Sequence, residues 1–220
     1  MDQGDPWLLD SSTERRSAID QPLKGEAVTG PSEAPPSRRQ QDMQRNIDAL
    51  LRAAAELFAS DGVDTPARRI IARAGVGAGT LYRHFPERSD LITAVFRHEV
   101  DACAADASIL ADRLDPVEAL TQWLQQVARF VADKRELKPA MHSGEATYRA
   151  LPAYFMERFV PVLAQLLDNA AAAGQITTQI GPEDLLRAVS SIVAQGDDDF
   201  TTRIVALLVD GLRYNGAPAV

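Results

Sequence analysis

The sequence predicts an all-α protein, and three observations support that prediction. Alanine and leucine are abundant, β-branched residues seldom occur in runs, and apolar residues recur at helical spacing along most of the chain. A chain of 220 residues, 45% of them hydrophobic, can build one sizeable core or two small domains that share a helix. We expect two domains, because a long helix is predicted between a small N-terminal group of helices and a larger C-terminal group.

Residues 1–41 are expected to form a disordered extension. Prolines stand there among serine, glycine and acidic residues, and the apolar side chains are too scattered to define a helix face. Arg38 and Arg39 lie at the end of this segment, where a basic arm could reach a phosphate backbone.

The first helix is predicted to begin at Asp42 and to end at Gly62, a residue that suits a left-handed C-terminal cap. Its apolar residues fall on one face at helical spacing. They are Ile47, Leu50, Leu51, Ala54, Leu57 and Phe58.

Two short helices are predicted next, the first over about 66–73 and the second over about 78–84. Thr65 and Pro66 supply an N-cap and a first-turn proline for the first of them.

The link between these short helices has the features of a tight turn. Gly75 permits the sharp change of direction, Val76 fills the turn, and Leu81 and Phe85 in the following helix are expected to face inward. Two short helices joined in this way form a helix-turn-helix, with the motif at about 66–85.

A fourth helix is predicted from about Arg88 to beyond Val100, and it is long enough to join two domains. Asp115 begins a capping pattern for the next helix. A short helix is then predicted over 135–142, and a longer one over 150–173. The predicted organisation is an extension at 1–41, a helix-turn-helix domain at 42–88, a C-terminal domain at 89–215 and a tail at 216–220.

The last two predicted helices, at about 182–195 and 199–214, are the most apolar. They carry more hydrophobic residues than one core-facing stripe needs, so we expect them to meet the same pair of a second subunit in a four-helix bundle. The alternative is a fully buried helix pair inside a monomer.

The charge distribution indicates a partner for the helix-turn-helix. The formal net charge of the chain is −8, which argues against a protein that coats nucleic acid nonspecifically. The segment 65–88 nevertheless contains five arginines and one glutamate, a balance of +4, so the remaining residues carry −12. A basic island in an acidic protein can approach phosphates with one face only.

The second helix of a helix-turn-helix enters the major groove of DNA, and neighbouring turns hold the phosphates. Arg83 could make a bidentate contact to guanine, and the small residues before it would let the backbone approach DNA closely. A half-buried core position is the alternative for Tyr82. The predicted DNA-binding residues are Thr65, Arg69, Gly77, Ala78, Gly79, Thr80, Tyr82, Arg83, His84 and Arg88.

The segment "AAAELFASDGVDTPARRIIARAGVGAGTLYRHFPERSDLITAV" resembles the N-terminal DNA-binding domain of TetR/AcrR-family transcriptional regulators, particularly in "AGV" and "GTLYRHF". The resemblance covers about residues 42–100. It implies a homodimeric repressor that binds a palindromic operator and releases it when a small ligand enters the C-terminal domain. It also implies DNA contacts for Thr65, Thr80, Tyr82, His84 and Arg88, and structural roles for Gly75 and Phe85. Gly77 and Ala78 depart from the serine and lysine that many members carry, so one expected contact is missing.

An effector pocket, if present, should lie among the C-terminal helices. The candidate lining residues are aromatic or thioether side chains, which favour a hydrophobic or flat ligand; a plain core is the alternative for most of them. The candidates are Trp123, Phe130, Met141, Tyr148, Tyr154, Phe155 and Phe159. His142, Glu145 and Arg149 could orient such a ligand.

Two other functions are weighed against a regulator. The run Asp197, Asp198 and Asp199 could suggest an enzyme with a metal site, but a further spaced carboxylate is missing, the histidines lack ligand spacing, and no cofactor is expected. The third possibility is a helical interaction module that has lost DNA binding.

The sequence also predicts a compartment. The single cysteine, Cys103, cannot form an intramolecular disulfide, which favours a reducing environment. The N-terminus lacks a basic region followed by an apolar run, and no apolar stretch reaches about 18 residues. We therefore expect a soluble cytoplasmic protein without a membrane partner.

Overall fold

The structure, a computed structural model, describes residues 37–134, 146–177, 180–193 and 198–213. Regular secondary structure in these ranges is helical, so the predicted all-α class is confirmed. The helices are α1 (Arg38–Asp61), α2 (Ala67–Ala74), α3 (Ala78–His84), α4 (Arg88–Arg113), α5 (Pro116–Asp133), α6 (Ala146–Arg149), α7 (Leu151–Ala172), α8 (Pro182–Val193) and α9 (Asp198–Arg213). The helix predicted over 135–142 lies outside the described residues.

Helix α1 begins four residues before the predicted start at Asp42. Ser37 and Gln40 form a reciprocal capping box, in which each side chain accepts a hydrogen bond from the other residue's backbone N–H. Arg38 and Arg39 therefore lie in the first turn of a helix, whereas the sequence placed them in a disordered extension.

Helices α1 to α3 and the start of α4 surround a small core that we call the head core. It contains Leu50, Leu51, Ala53, Ala54, Ile70, Leu81, Leu91 and Val95. Buried side chains on the inner face of α1 and on α2 and α3 meet there, because each helix carries a single apolar stripe.

Helices α4 to α9 surround a larger body core. Helix α4 contributes to both cores, since Leu91 and Val95 belong to the head core while Ile92, Phe96 and Val100 belong to the body core. The long fourth helix therefore takes part in both cores. None of the helices in the described part of the chain is both long and apolar enough to span a membrane.

The last two helices are only partly buried. Helix α8 buries Leu185, Leu186, Val189 and Val193, and α9 buries Val205, Val209 and Leu212. Leu207 on α9, in contrast, is 64% exposed. Part of the α9 surface is therefore left unburied by the described part of the chain, and the dimer interface stays a prediction.

Candidate nucleic-acid interface

The turn between α2 and α3 has the predicted geometry. Gly75 adopts a left-handed conformation, with φ 68° and ψ 27°, and its N–H donates to the carbonyl of Ile71 over 3.1 Å. A side chain at this φ would be strained, which explains the glycine. Val76 is half-buried against the head core, and Leu81 is buried in it. These contacts fix the orientation of α3 against the head core.

Helix α3 presents a polar face to solvent. Tyr82 is 58% exposed and Arg83 is exposed, while Thr80 and His84 are half-buried. The exposure of Tyr82 excludes the alternative of a core tyrosine. Its hydroxyl and the Arg83 guanidinium are donors of the kind that contact phosphates and base edges.

At the start of α3 the backbone is exposed to solvent. Gly77, Ala78 and Gly79 are exposed, and no atom lies within 4 Å of an added Cβ at either glycine. Gly77 occupies the N-cap position without a side-chain hydrogen bond. The N–H of Thr80 donates to the Gly77 carbonyl over 2.9 Å, so the departure noted in the sequence leaves the N–H groups of Ala78 and Gly79 without a side-chain cap.

The structure contradicts the predicted phosphate contact of the Thr65 side chain. Thr65 is 2% exposed, and its hydroxyl donates to the carbonyl of Gly62 over 2.9 Å. The predicted N-cap role is also wrong, because α2 begins at Ala67 with Pro66 at the N-cap. The Gly62 carbonyl at the end of α1 also accepts the N–H of Thr65 over 3.3 Å, so Thr65 has a structural task in closing this turn.

Arg88 is not the mobile cation that the sequence predicts. Its Nη2 atom donates to the carbonyls of Val63 and Thr65, the latter over 2.8 Å. The guanidinium also lies over the Phe58 ring, 5.7 Å from the centroid. Arg88 therefore ties the first turn of α4 to the loop between α1 and α2, and the Nη2 atom that makes both bonds is committed inside the head.

The arginines of α2 divide into paired and unpaired side chains. Arg69 forms an ion pair with Asp61 at 2.6 Å, and Arg73 donates to Glu56 through Nε and Nη2 at 2.9 and 2.7 Å. Arg68 is exposed and has no ion-pair partner among the described residues. Among the described residues, Arg68 is therefore the arginine of α2 without an ion pair, and the DNA contact predicted for Arg69 stays a prediction.

Sequence reasoning missed Arg68 because the acids that neutralise its neighbours lie on α1. Asp61 and Glu56 are 8 and 17 residues away in the chain. Only the packing of α1 against α2 reveals which arginines are neutralised. Helical spacing gives a partial signal, since Arg69 and Arg73 are four residues apart and share a face that excludes Arg68.

The residues predicted to line an effector pocket instead pack against one another. The Phe155 and Phe159 ring centroids are 4.6 Å apart, and those of Trp123 and Phe159 are 5.3 Å apart. Phe130 stacks on Phe155 at 6.0 Å. These four rings form the centre of the body core, as the plain-core alternative expects, and a ligand-lining role remains a prediction.

The remaining candidates are dispersed. Tyr148 is buried, whereas Met141, His142 and Glu145 lie outside the described residues. Tyr154 donates its hydroxyl to Asp101 over 2.8 Å, and partial burial together with this hydrogen bond raises the pKa of Tyr154. The hydrogen bond from Tyr154 to Asp101 therefore links α7 to α4.

A small cleft lies where the head meets the body. Its walls come from α1, α4 and α5, and the space inside is about 30 Å³. Lys134 at the end of α5 bridges to Glu99 of α4 at 2.8 Å in this cleft. None of the predicted ligand-lining residues contributes to its walls. The lining residues are Phe58, Ala59, Val63, Ile92, Val95, Phe96, Glu99, Asp133 and Lys134.

Cys103 is expected to be unreactive in the folded protein. Burial, followed by the nearby Asp106 charge, raises the pKa of the thiol from its ordinary value of 9.0 to about 12. At pH 8 the thiolate fraction is then far lower than in the unfolded chain, and labelling should be slower by at least about 10-fold, since the greater nucleophilicity of a high-pKa thiolate offsets only part of the loss. Labelling with a chromogenic disulfide at pH 8, with and without urea, measures this ratio. Rapid labelling of one thiol per folded chain would contradict it.

A small head that exposes the polar face of α3, joined by one long helix to a larger helical body, defines a helix-turn-helix DNA-binding regulator. The family model described as bacterial regulatory proteins of the tetR family matches residues 50–95. The model described as the C-terminal domain of SbtR-like transcriptional regulators matches residues 115–214. The chain belongs to the TetR family of transcriptional regulators, which confirms the resemblance read from the sequence.

Solved structures and a curated relative agree with this assignment. A TetR transcriptional regulator from Streptomyces coelicolor is 33% identical, with a TM-score of 0.64 over 77% of this chain and 99% of its own. A TetR transcription regulatory protein from Mycobacterium vanbaalenii is 30% identical, with a TM-score of 0.64 over 80% and 99%. An HTH-type transcriptional regulator from Staphylococcus aureus is 27% identical over 69% of this chain and 82% of its own. These relatives are regulators, which decides against the enzyme alternative.

Proposed function

We propose that the protein is a homodimeric repressor that binds a palindromic operator and releases it when a small hydrophobic effector enters the body. In this proposal the protein acts in the cytoplasm, and α3 of each subunit reads one half-site. The observation that carries the DNA-binding surface is the exposure of Tyr82 and Arg83 on a helix whose other side is buried in the head core.

The proposed DNA surface differs from the residues assigned from the sequence alone. Arg83 and Tyr82 contact base edges or phosphates of the duplex. The exposed backbone at Gly77–Gly79 binds a phosphate. Arg68 supplies the cation of α2. Thr65 and Arg88 support this surface from inside the head, so they act on binding by positioning the other residues. Thr80, His84 and Ala78 remain proposed contacts.

The proposed dimer forms through α8 and α9. Leu207 is exposed on α9 and is flanked by exposed Arg203 and Asp210, a pattern of apolar centre and charged rim that is typical of interfaces. Two copies of the α8 and α9 pair would then form a four-helix bundle.

The proposed release mechanism runs through α4, the helix shared by both cores. Suppose that the dimer has two states that differ in the tilt of α4. An effector that binds one state more tightly shifts the dimer towards that state. The two reading helices then leave the spacing of about 34–36 Å that matches one turn of DNA. Operator affinity can fall by no more than the effector's differential affinity for the two states.

The DNA-binding surface is tested by Arg83→Ala and Tyr82→Phe. A duplex selected by the unmodified protein from a random-sequence library serves as the probe, with binding followed by fluorescence anisotropy. We expect Arg83→Ala to lower affinity by at least about 10-fold, because a bidentate or phosphate contact is lost. Tyr82→Phe should lower it by about 2- to 10-fold, the effect of one hydroxyl hydrogen bond.

The matched control is Arg113→Ala, which removes an exposed arginine at the far end of α4 and should leave affinity unchanged. Unchanged affinity in both α3 variants would overturn the assigned surface. A protein that selects no duplex would instead support the alternative of an interaction module without DNA binding.

A further inference from the structure

We propose that the first turns of α1 form a rigid basic arm, and that Arg38 and Arg39 at its tip bind the phosphate backbone of DNA flanking the bases read by α3. The inference rests on the DNA-binding function and adds a second contact surface to it.

The arm is helical and projects beyond the head. Residues 37–46 are exposed, and Ile47 is the first residue of α1 that packs against the head core. Ile47 lies nine positions after Arg38, which at 1.5 Å per residue corresponds to about 14 Å of helix. The capping box between Ser37 and Gln40 closes the helix at its start, so both arginines are carried on an ordered turn.

The arm points away from the body. Phe58 near the other end of α1 and Val63 in the loop after it pack against the body core, whereas Ile47 packs against the head core alone. Helix α3 also contributes to the head core alone, through Leu81 and Phe85. The N-terminal end of α1 and the reading helix therefore both belong to the part of the head that is remote from the body.

The charges of the arm are not neutralised within the described part of the chain. Arg45 forms an ion pair with Asp42 one turn away, but Arg38 and Arg39 have no such partner there. The first turn of α1 contains no acidic residue. Two cations next to the positive end of the helix dipole are unfavourable for the isolated helix, and an anionic partner would offset that repulsion.

DNA is the anion that the geometry favours. Helix α3 already directs Tyr82 and Arg83 at a duplex, and the major groove is about 12 Å wide. An arm of about 14 Å spans about four base pairs at 3.4 Å each, so from a head seated in the groove it can reach phosphates beyond the bases that α3 reads. Such contacts would strengthen binding without adding base specificity.

The test is the double variant Arg38→Gln/Arg39→Gln in the full chain. The probes are the library-selected duplex with about ten additional base pairs on each side, one helical turn, and the same duplex without them. On the longer duplex the slope of log affinity against log salt should become shallower by about 2 for each bound subunit, because each lost phosphate contact contributes about 0.9. On the trimmed duplex the slope should stay unchanged.

Arg113→Gln is the control, because it removes one arginine charge, half of the charge lost in the double variant, at a remote exposed position and should change neither slope. The double variant should melt at or slightly above the temperature of the unmodified protein, since the repulsion at the helix start is gone. An unchanged slope on the longer duplex, or a lowered melting temperature with loss of helix, would overturn the proposal. The DNA-binding function is judged separately, by the response to Arg83→Ala.

Discussion

Leu207→Glu is expected to convert the protein from a dimer to a monomer and to lower operator affinity by more than about 100-fold. Leu207 is 64% exposed on α9, so a single subunit gains little from its burial and loses little from its replacement. In a four-helix bundle the same side chain would lie in an apolar interface, where an unpaired carboxylate is strongly unfavourable. Size-exclusion chromatography with light scattering measures the mass, and fluorescence anisotropy measures the affinity.

The loss of affinity follows from the coupling of two half-sites. In a dimer, binding of one head brings the second head to its half-site at a high effective concentration, and a monomer loses that advantage. A single half-site should therefore be bound equally weakly by the variant and by a dissociated unmodified subunit.

Ile109→Glu is the matched control for this prediction. Ile109 is 47% exposed on α4, an apolar side chain similar to Leu207 but outside the α8 and α9 pair. This variant should remain dimeric and bind the operator normally. Dissociation caused by Ile109→Glu, or a Leu207→Glu protein that stays dimeric, would place the interface elsewhere.

The helices and the turn could be predicted from sequence because their causes are local. Helical spacing of apolar residues placed α3 at its observed bounds of Ala78 and His84, and Gly75 has the positive φ that its position in the pattern required. The start of α1 was misplaced because prolines dominated the composition of the preceding segment. The decisive local feature was the reciprocal pair of Ser37 and Gln40.

The roles of the polar residues could not be predicted to the same extent, because they depend on partners distant in the chain. Thr65 bonds to the end of α1, Arg88 reaches the carbonyl of a residue 25 positions away, and Arg73 meets an acid 17 positions away. In each case the type of side chain suits both a DNA contact and an internal bond. Only the packing of α1 against α2 and α4 distinguishes the two.

The aromatic residues of the body show a similar ambiguity. Phe155 and Phe159 are buried against each other, and an apolar ring serves a packed core and a ligand pocket equally well. Sequence spacing identifies these positions as interior. It cannot determine whether the space next to them is filled by protein or by an effector.

Arg88→Met is expected to destabilise the head by about 3 kcal/mol, because a charged guanidinium that bonds two carbonyls contributes about 1.5–3 kcal/mol per hydrogen bond. Methionine keeps an apolar side chain of similar length against Phe58, so the change isolates the hydrogen bonds. The carbonyls of Val63 and Thr65 lose their partner, and the loop between α1 and α2 is no longer tied to α4. Thermal unfolding without DNA should show a fall of roughly 6–12 °C.

Arg83→Ala distinguishes a positioning role for Arg88 from a direct DNA contact. Arg83 is exposed, so its replacement should lower operator affinity and leave the melting temperature unchanged. Arg88→Met should lower both, since a loosened loop no longer holds α2 and α3 in the geometry that α4 sets. If Arg88→Met unfolds at the temperature of the unmodified protein yet loses affinity as Arg83→Ala does, Arg88 contacts DNA directly, and its bonds to Val63 and Thr65 do not stabilise the head.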